Sequence, residues 1–164
     1  MNSSLIGVLS DSHGHADRVR EAARLFAERG VRRLFHCGDI GGGAVIDELA
    51  AFSTLYVAGN VDWDLPALQE HVRGPHSHLR DRWAEADLNG KRLALTHGHE
   101  DATLNWLIGC GQYDWVFHGH THQFRDERFG RTRVVCPGAL HGVRTHSVVV
   151  IRLEDDRVER IILP

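Results

Sequence analysis

The sequence predicts an α/β fold in which two mixed β-sheets pack as a sandwich flanked by helices, a four-layer arrangement. Three observations lead there. The first half alternates short apolar runs with amphipathic stretches, the pattern of parallel strands joined by crossover helices. The second half holds three pairs of short strand-like segments around tight turns. Residues able to bind a ligand stand just after the ends of the predicted strands, the edge where α/β sheets gather ligands.

Leu5 to Leu9 is a near-continuous apolar run and reads as a buried strand. From His15 to Arg29, Val19, Ala22, Ala23, Phe26 and Ala27 recur at helical spacing, and Gly30 is placed to close that helix. Arg33 to Cys37 is a second strand, Ala44 to Phe52 a second helix after Gly41-Gly42-Gly43, and Thr54 to Ala58 a third strand. Asp64 to Arg82 contains Pro66, Gly74, Pro75 and three histidines, so it reads as a short helix followed by a loop. Trp83 to Leu88 and Lys91 to Thr96 flank Asn89-Gly90, the preferred pair for a two-residue hairpin turn. Asp101 to Cys110 is a helix and Asp114 to Phe117 a strand. Arg125 to Arg128 and Arg131 to Cys136 form a hairpin around Phe129-Gly130, and Ser147 to Leu153 and Arg157 to Leu163 another around Asp155-Asp156. The second half is therefore expected to be mostly antiparallel.

The length of 164 residues predicts one domain over 1–164. A formal net charge of -3 excludes a strong basic field, which argues against long nucleic acid as a partner. The apolar run at the N-terminus is too short for a signal peptide, and no ~20-residue apolar span suggests a membrane helix. Three dispersed cysteines give neither a CxxC pair nor a disulfide framework, which fits a cytoplasmic protein. Thirteen histidines are the compositional anomaly, and neutral imidazole is the commonest metal ligand.

Seven potential ligands occupy those strand ends: Asp11, His13, Asp39, Asn60, His97, His120 and His122. Two carboxylates, one amide and four imidazoles exceed the needs of one ion and suit two. In an extended segment residues i and i+2 point to one side, so Asp11/His13 and His120/His122 are each expected to aim at one point. Glycine adjoins nearly every ligand, which permits tight turns and close approach. Only a carboxylate readily bridges two ions, which leaves Asp39 and Asp11 as candidates for the bridge.

The ordered set Asp11-Ser12-His13-Gly14, Gly38-Asp39, Gly59-Asn60-Val61-Asp62, His97-Gly98-His99 and Gly119-His120-Thr121-His122 resembles the calcineurin-like metallophosphoesterase superfamily, above all its small single-domain bacterial and archaeal phosphodiesterases. The resemblance implies one ion held by Asp11, His13 and His122, a second held by Asn60, His97 and His120, and Asp39 between them. It implies hydrolysis of phosphodiesters by in-line attack of a metal-bridging hydroxide on a small phosphate-ester substrate. The resemblance favours manganese, while the mixed nitrogen and oxygen donors also suit Ni²⁺, Fe²⁺, Co²⁺ or Zn²⁺. Asn60, Asp62 and His99 are candidate catalytic residues: His99 to reach the phosphate or donate a proton, Asp62 to orient Asn60 or a histidine.

Two departures stand out. Many relatives carry, after the Asn, a His that assists the leaving group; here the position is Val61, which cannot transfer a proton. Activated leaving groups such as nitrophenol are therefore expected to be favoured. The usual Asn-Pro-Gly-Ser is Cys136-Pro137-Gly138-Ala139, which removes an amide and a hydroxyl.

Simpler roles compete at several positions. Asp11 alone would serve as a helix cap, and Asp39 or Asn60 as a turn residue. His36 and His118 read as satisfied internal histidines. His15, His141 and His146 have no spacing that ties them to the site. The tryptophans read as core or interface. The alternatives at the level of function are a phosphomonoesterase or nucleotide phosphatase, or a catalytically inactive protein-binding scaffold like the retromer subunit of the same fold. Exposed hairpin edges make a homodimer a further expectation.

Overall fold

The computed structural model describes residues 5–74 and 76–164. Its elements run β1 (Leu5–Leu9), α1 (Ala16–Glu28), β2 (Arg33–His36), α2 (Gly43–Glu48), β3 (Ser53–Val57), α3 (Leu65–Gln69) and β4 (His78–Arg80). They continue with β5 (Trp83–Leu88), β6 (Lys91–Thr96), α4 (Asp101–Gly109), β7 (Trp115–Phe117), β8 (Phe124–Phe129), β9 (Thr132–Pro137), β10 (Ser147–Arg152) and β11 (Arg157–Ile162).

Two sheets result, ordered β11-β10-β1-β2-β3-β4 and β5-β6-β7-β9-β8. Both are mixed, as the sequence predicted. In the first, β1, β2, β3 and β4 are parallel, while β10 joins β1 antiparallel. Alternation along each strand builds the layers. Ile6 and Val8 of β1, Phe35 of β2, Leu93 and Leu95 of β6, and Val149 and Ile151 of β10 fill the space between the sheets. The intervening Leu9, Leu34, Val148 and Val150 face outward and are covered by Val19 and Phe26 of α1, Ile46 of α2 and Leu68 of α3. Across the molecule, Leu107 of α4 covers Ala94, Val116 and Val134 on the outer face of the second sheet. Helix, sheet, sheet, helix is the four-layer order. Among the described residues no helix is long and apolar enough to cross a membrane.

The structure corrects four details. The second half is less antiparallel than expected, because β7 pairs in parallel with both β6 and β9. Helix α2 stops at Glu48 rather than Phe52; Ala50 and Phe52 donate to Asp47 and Leu49 in successive tight turns. The stretch read as loop contains β4, three residues with one buried side chain, Leu79, too short to show a periodicity. Pro75, another residue that suggested a loop, lies outside the described residues. In the second hairpin Phe129 pairs with Thr132, so the turn is Gly130-Arg131.

Candidate metal centre

The candidate ligands meet where β1, β2, β3, β6 and β7 end. Adjacent loops are tied there by backbone hydrogen bonds: Asp11 N–H donates to Gly38 O, His13 N–H to Asp39 O, Gly119 N–H to His97 O and Leu140 N–H to Asp11 O. The aim of the side chains has a different origin from the one expected. Asp11, His13, Asp39, His120 and His122 have φ of 54°, 43°, 52°, 67° and 58°, all in the left-handed region. They are therefore not extended, and the two-residue period of a strand does not orient them. The conformation is uncommon for residues with a Cβ, and such strain gathers at functional sites. Glycine supplies the close approach. A Cβ on Gly59 would stand 2.1 Å from Asp39 Oδ1, and one on Gly119 1.9 Å from Ser10 Oγ.

The donor atoms form two groups. Asp11, His13 and His122 make one; Asp11, Asp39 and His97 make the other, each with ligand atoms mutually within 4.8 Å. Asp39 Oδ2 is 3.2 Å from His13 Nε2 and 3.3 Å from His97 Nε2. Asn60 Oδ1 is 3.0 Å from His97 Nε2. The His120 ring lies 5.2 Å from the His97 ring, and its backbone N–H donates to Asp11 Oδ2 at 3.1 Å.

This arrangement suits a cation. His97 Nδ1 is 2.8 Å from Cys37 O, a carbonyl that can only accept, so Nδ1 carries the proton. In the neutral ring Nε2 then presents a lone pair to two further acceptors, Asp39 Oδ2 and Asn60 Oδ1. Without a cation, a second proton must take that place. Burial would lower the His97 pKa, yet its bonds to Asp39 and the Cys37 carbonyl outweigh burial and raise it. Burial raises the Asp39 pKa, but His97, the Val61 N–H and His13 overcome it and bring the carboxyl down to about 2. Asp11 is fully buried. Ser10 O–H and His120 N–H donate to its Oδ2, whereas Oδ1 has no hydrogen-bond partner, and neither has His13 Nε2. Burial pushes the Asp11 pKa up. Orphaned buried polar atoms are costly, and a divalent ion would satisfy both.

Asp62 has a different task from the one expected. Its carboxylate accepts from Ile40 N–H and Gly41 N–H at 2.9 Å each and from Gly59 N–H at 2.8 Å. It clamps the loop bearing Asp39 to the loop bearing Asn60, and its bonds run to backbone amides rather than to the Asn60 amide or a histidine. His99 is solvent-exposed at the mouth, its ring 5.4 Å from that of His97. Burial and the neighbouring His97 lower its pKa.

His36 and His118 are internal, as expected. Gly38 N–H donates to His36 Nδ1, so Nε2–H donates to Ser12 Oγ at 2.9 Å. Burial brings its pKa down to about 3. Arg125 donates to His118 Nε2, which leaves Nδ1–H for Gly119 O. Cys136 is buried 3.8 Å from Thr121 Oγ1, behind the histidine loop. Spacing alone did not tie His141 to the site. Its ring stands 4.5 Å from the His13 ring and its Nδ1 is 2.9 Å from His15 Nε2. The Leu140–Asp11 backbone bond, a tertiary contact, brings it there.

Residues 5–156 match the model of the calcineurin-like phosphoesterase superfamily domain, and the chain belongs to that superfamily. It is a metal-dependent hydrolase of phosphoester bonds. Phosphodiesterase MJ0936 of Methanocaldococcus jannaschii is 29% identical over 157 residues, 94% of this chain and 95% of that protein. Phosphodiesterase YfcE of Escherichia coli K12 is 27% identical over 146 residues, 80% of this chain and 76% of that protein. A solved archaeal phosphodiesterase superposes with a TM-score of 0.90 at 27% identity, covering 97% of this chain and 99% of the other. Zinc-bound Vps29 of Entamoeba histolytica, at TM-score 0.61 and 15% identity over 96% and 98% of the two chains, shares the fold.

Proposed function

We propose that the chain is a dinuclear phosphodiesterase acting on small phosphodiesters. One observation carries the reading: a single oxygen, Asp39 Oδ2, lies 3.2 Å from His13 Nε2 and 3.3 Å from His97 Nε2. Asp39 thus faces both ligand sets and serves as the bridge. Asp11, His13 and His122 hold one ion; Asn60, His97 and His120 hold the other. When bound, the two ions supply the hydroxide for in-line attack and offset charge on the phosphoryl oxygens.

The chain's own residues set the rest. The Nδ1–H of His97, bonded to Cys37 O, keeps Nε2 free to ligate. Ser10 and the His120 amide fix Asp11 so that Oδ1 faces inward. His99, exposed at the mouth, meets the phosphoryl group or the leaving oxygen. Val61 offers no proton, so esters of acidic alcohols are the better substrates. Manganese is the proposed metal on the similarity to small phosphodiesterases, and the mixed nitrogen and oxygen donors also suit Ni²⁺, Fe²⁺, Co²⁺ or Zn²⁺. Three free cysteines fit a cytoplasmic setting.

The test is turnover of bis- and mono-nitrophenyl phosphate after chelation and add-back of Mn²⁺, Ni²⁺ or Zn²⁺. Restored hydrolysis with the diester preferred is the expected result. No metal-restored turnover would mark a binding scaffold, and preference for the monoester a phosphatase.

A further inference from the structure

We propose that Trp63 and the backbone of Gly41–Gly43 form a subsite for a planar aromatic ring carried by one ester arm of the substrate. The proposal rests on the metal centre described above, because the subsite begins one residue beyond Asn60 and two beyond Asp39.

Tryptophan is largely buried in most proteins, yet Trp63 is 87% exposed. The backbone on either side of it is held firmly. On one side, the Asp62 carboxylate accepts three backbone N–H groups. On the other, Asp64 Oδ1 accepts Ala67 N–H at 3.1 Å and caps α3. The two anchors fix the backbone that carries the indole, so docking a ring costs side-chain torsions but no loop ordering.

The cavity beside it determines the ligand class. It holds about 220 Å³ and is lined by Gly41–Gly43, Val61, Trp63, Ala67 and Leu68, with the two anchoring aspartates and His71. Drug-sized ligands occupy roughly 300–1,000 Å³, so this space suits one ring system. Its lining includes no Lys or Arg. Both Asp62 and Asp64 are engaged with backbone amides, and His71 Nδ1 is 3.0 Å from Asp47. Nothing there selects a second anion, whereas the exposed indole shares the cavity with Gly42, whose missing side chain leaves open space, and can accept an aromatic face.

The test uses phosphonates, whose P–C bond resists hydrolysis. Binding of benzylphosphonate and ethylphosphonate to the full chain with Mn²⁺ is measured by calorimetry for the wild type, Trp63→Ala and Trp63→Phe. The wild type should bind the benzyl compound about tenfold more tightly. Trp63→Ala should lose that preference and Trp63→Phe should keep most of it. Ethylphosphonate, which reads the metal centre alone, should bind all three equally. Equal affinities in the wild type, a preference that survives Trp63→Ala, or binding of neither compound overturns the subsite. So does sedimentation showing a wild-type dimer that Trp63→Ala dissociates, since a second copy then covers the indole. Metal-restored turnover of nitrophenyl phosphates scores the phosphodiesterase reading independently.

Discussion

Asp11 Oδ1 and His122 Nε2 lie 3.2 Å apart, and Oδ1 accepts no hydrogen bond. Donors about 2.1 Å from one octahedral ion are about 3 Å from each other. The pair is thus spaced as two ligands of one cation. The buried Oδ1 charge is an uncompensated cost until a cation arrives.

Asp11→Asn should therefore separate stability from metal binding. The amide keeps an oxygen for Ser10 and the His120 N–H and removes the buried charge. The metal-free variant should unfold at a higher temperature than the metal-free wild type. Manganese at a hundredfold excess over Kd should add about 2.7 kcal/mol per bound ion to the wild type. The variant should gain much less, as differential scanning calorimetry with and without chelator would report.

Asp39→Ala and His120→Ala should abolish hydrolysis while leaving the circular dichroism spectrum unchanged. The loss should exceed the roughly 10- to 100-fold cost of removing an outer partner of a metal ligand. Elemental analysis should show His120→Ala retaining one of two ions. Wild-type turnover in either variant would refute the ligand assignment.

Asp62→Ala should damage fold and activity together, since it leaves the amides of residues 40, 41 and 59 without their acceptor. Each hydrogen bond to a charged group contributes roughly 1.5–3 kcal/mol. A loss of about 3 kcal/mol or more in urea unfolding is expected, and Asp62→Asn should lose less. An unchanged midpoint would show that the clamp is dispensable.

Val61→His supplies a proton donor at an exposed position on the rim. General acid catalysis contributes roughly 10²- to 10⁴-fold where the leaving group is poor. Turnover of an alkyl phosphodiester should rise at least about tenfold, with little change for nitrophenyl esters. Equal effects on both would show that leaving-group protonation does not limit the reaction.

Acid should destabilise the metal-free fold through His36. Burial brings its folded pKa to about 3, while the unfolded ring titrates near 6.5. Between those values the unfolded chain binds the extra proton, so stability is intact above about pH 6.5 and falls as pH drops toward 3. One such group contributes a slope of roughly 1.4 kcal/mol per pH unit. His118, brought down to about 4 mainly by burial, acts with the same sign. Urea unfolding of His36→Gln between pH 4 and 6.5 should give a shallower slope than the wild type.

The order of strands and helices was largely legible because apolar runs, helical stripes and turn residues each leave a local mark. The apolar run of β1, for example, marks a strand buried on both faces, and the structure sends Ile6 and Val8 to one core and Leu9 to the other. The candidate ligands were legible as residue types beside glycines at strand ends. Strand β4 was not, because its pairing with β3 compensates for a three-residue sequence with one inward side chain. The clamp at Asp62 and the approach of His141 to His13 were also hidden, since both depend on contacts between distant loops. By itself, then, the sequence determined the fold class and which residues are candidate metal ligands, through local patterning and side-chain chemistry. Only the tertiary structure decided how they aim, because the left-handed backbone at five candidate ligands sits in loops tied by cross-loop hydrogen bonds that no local pattern encodes.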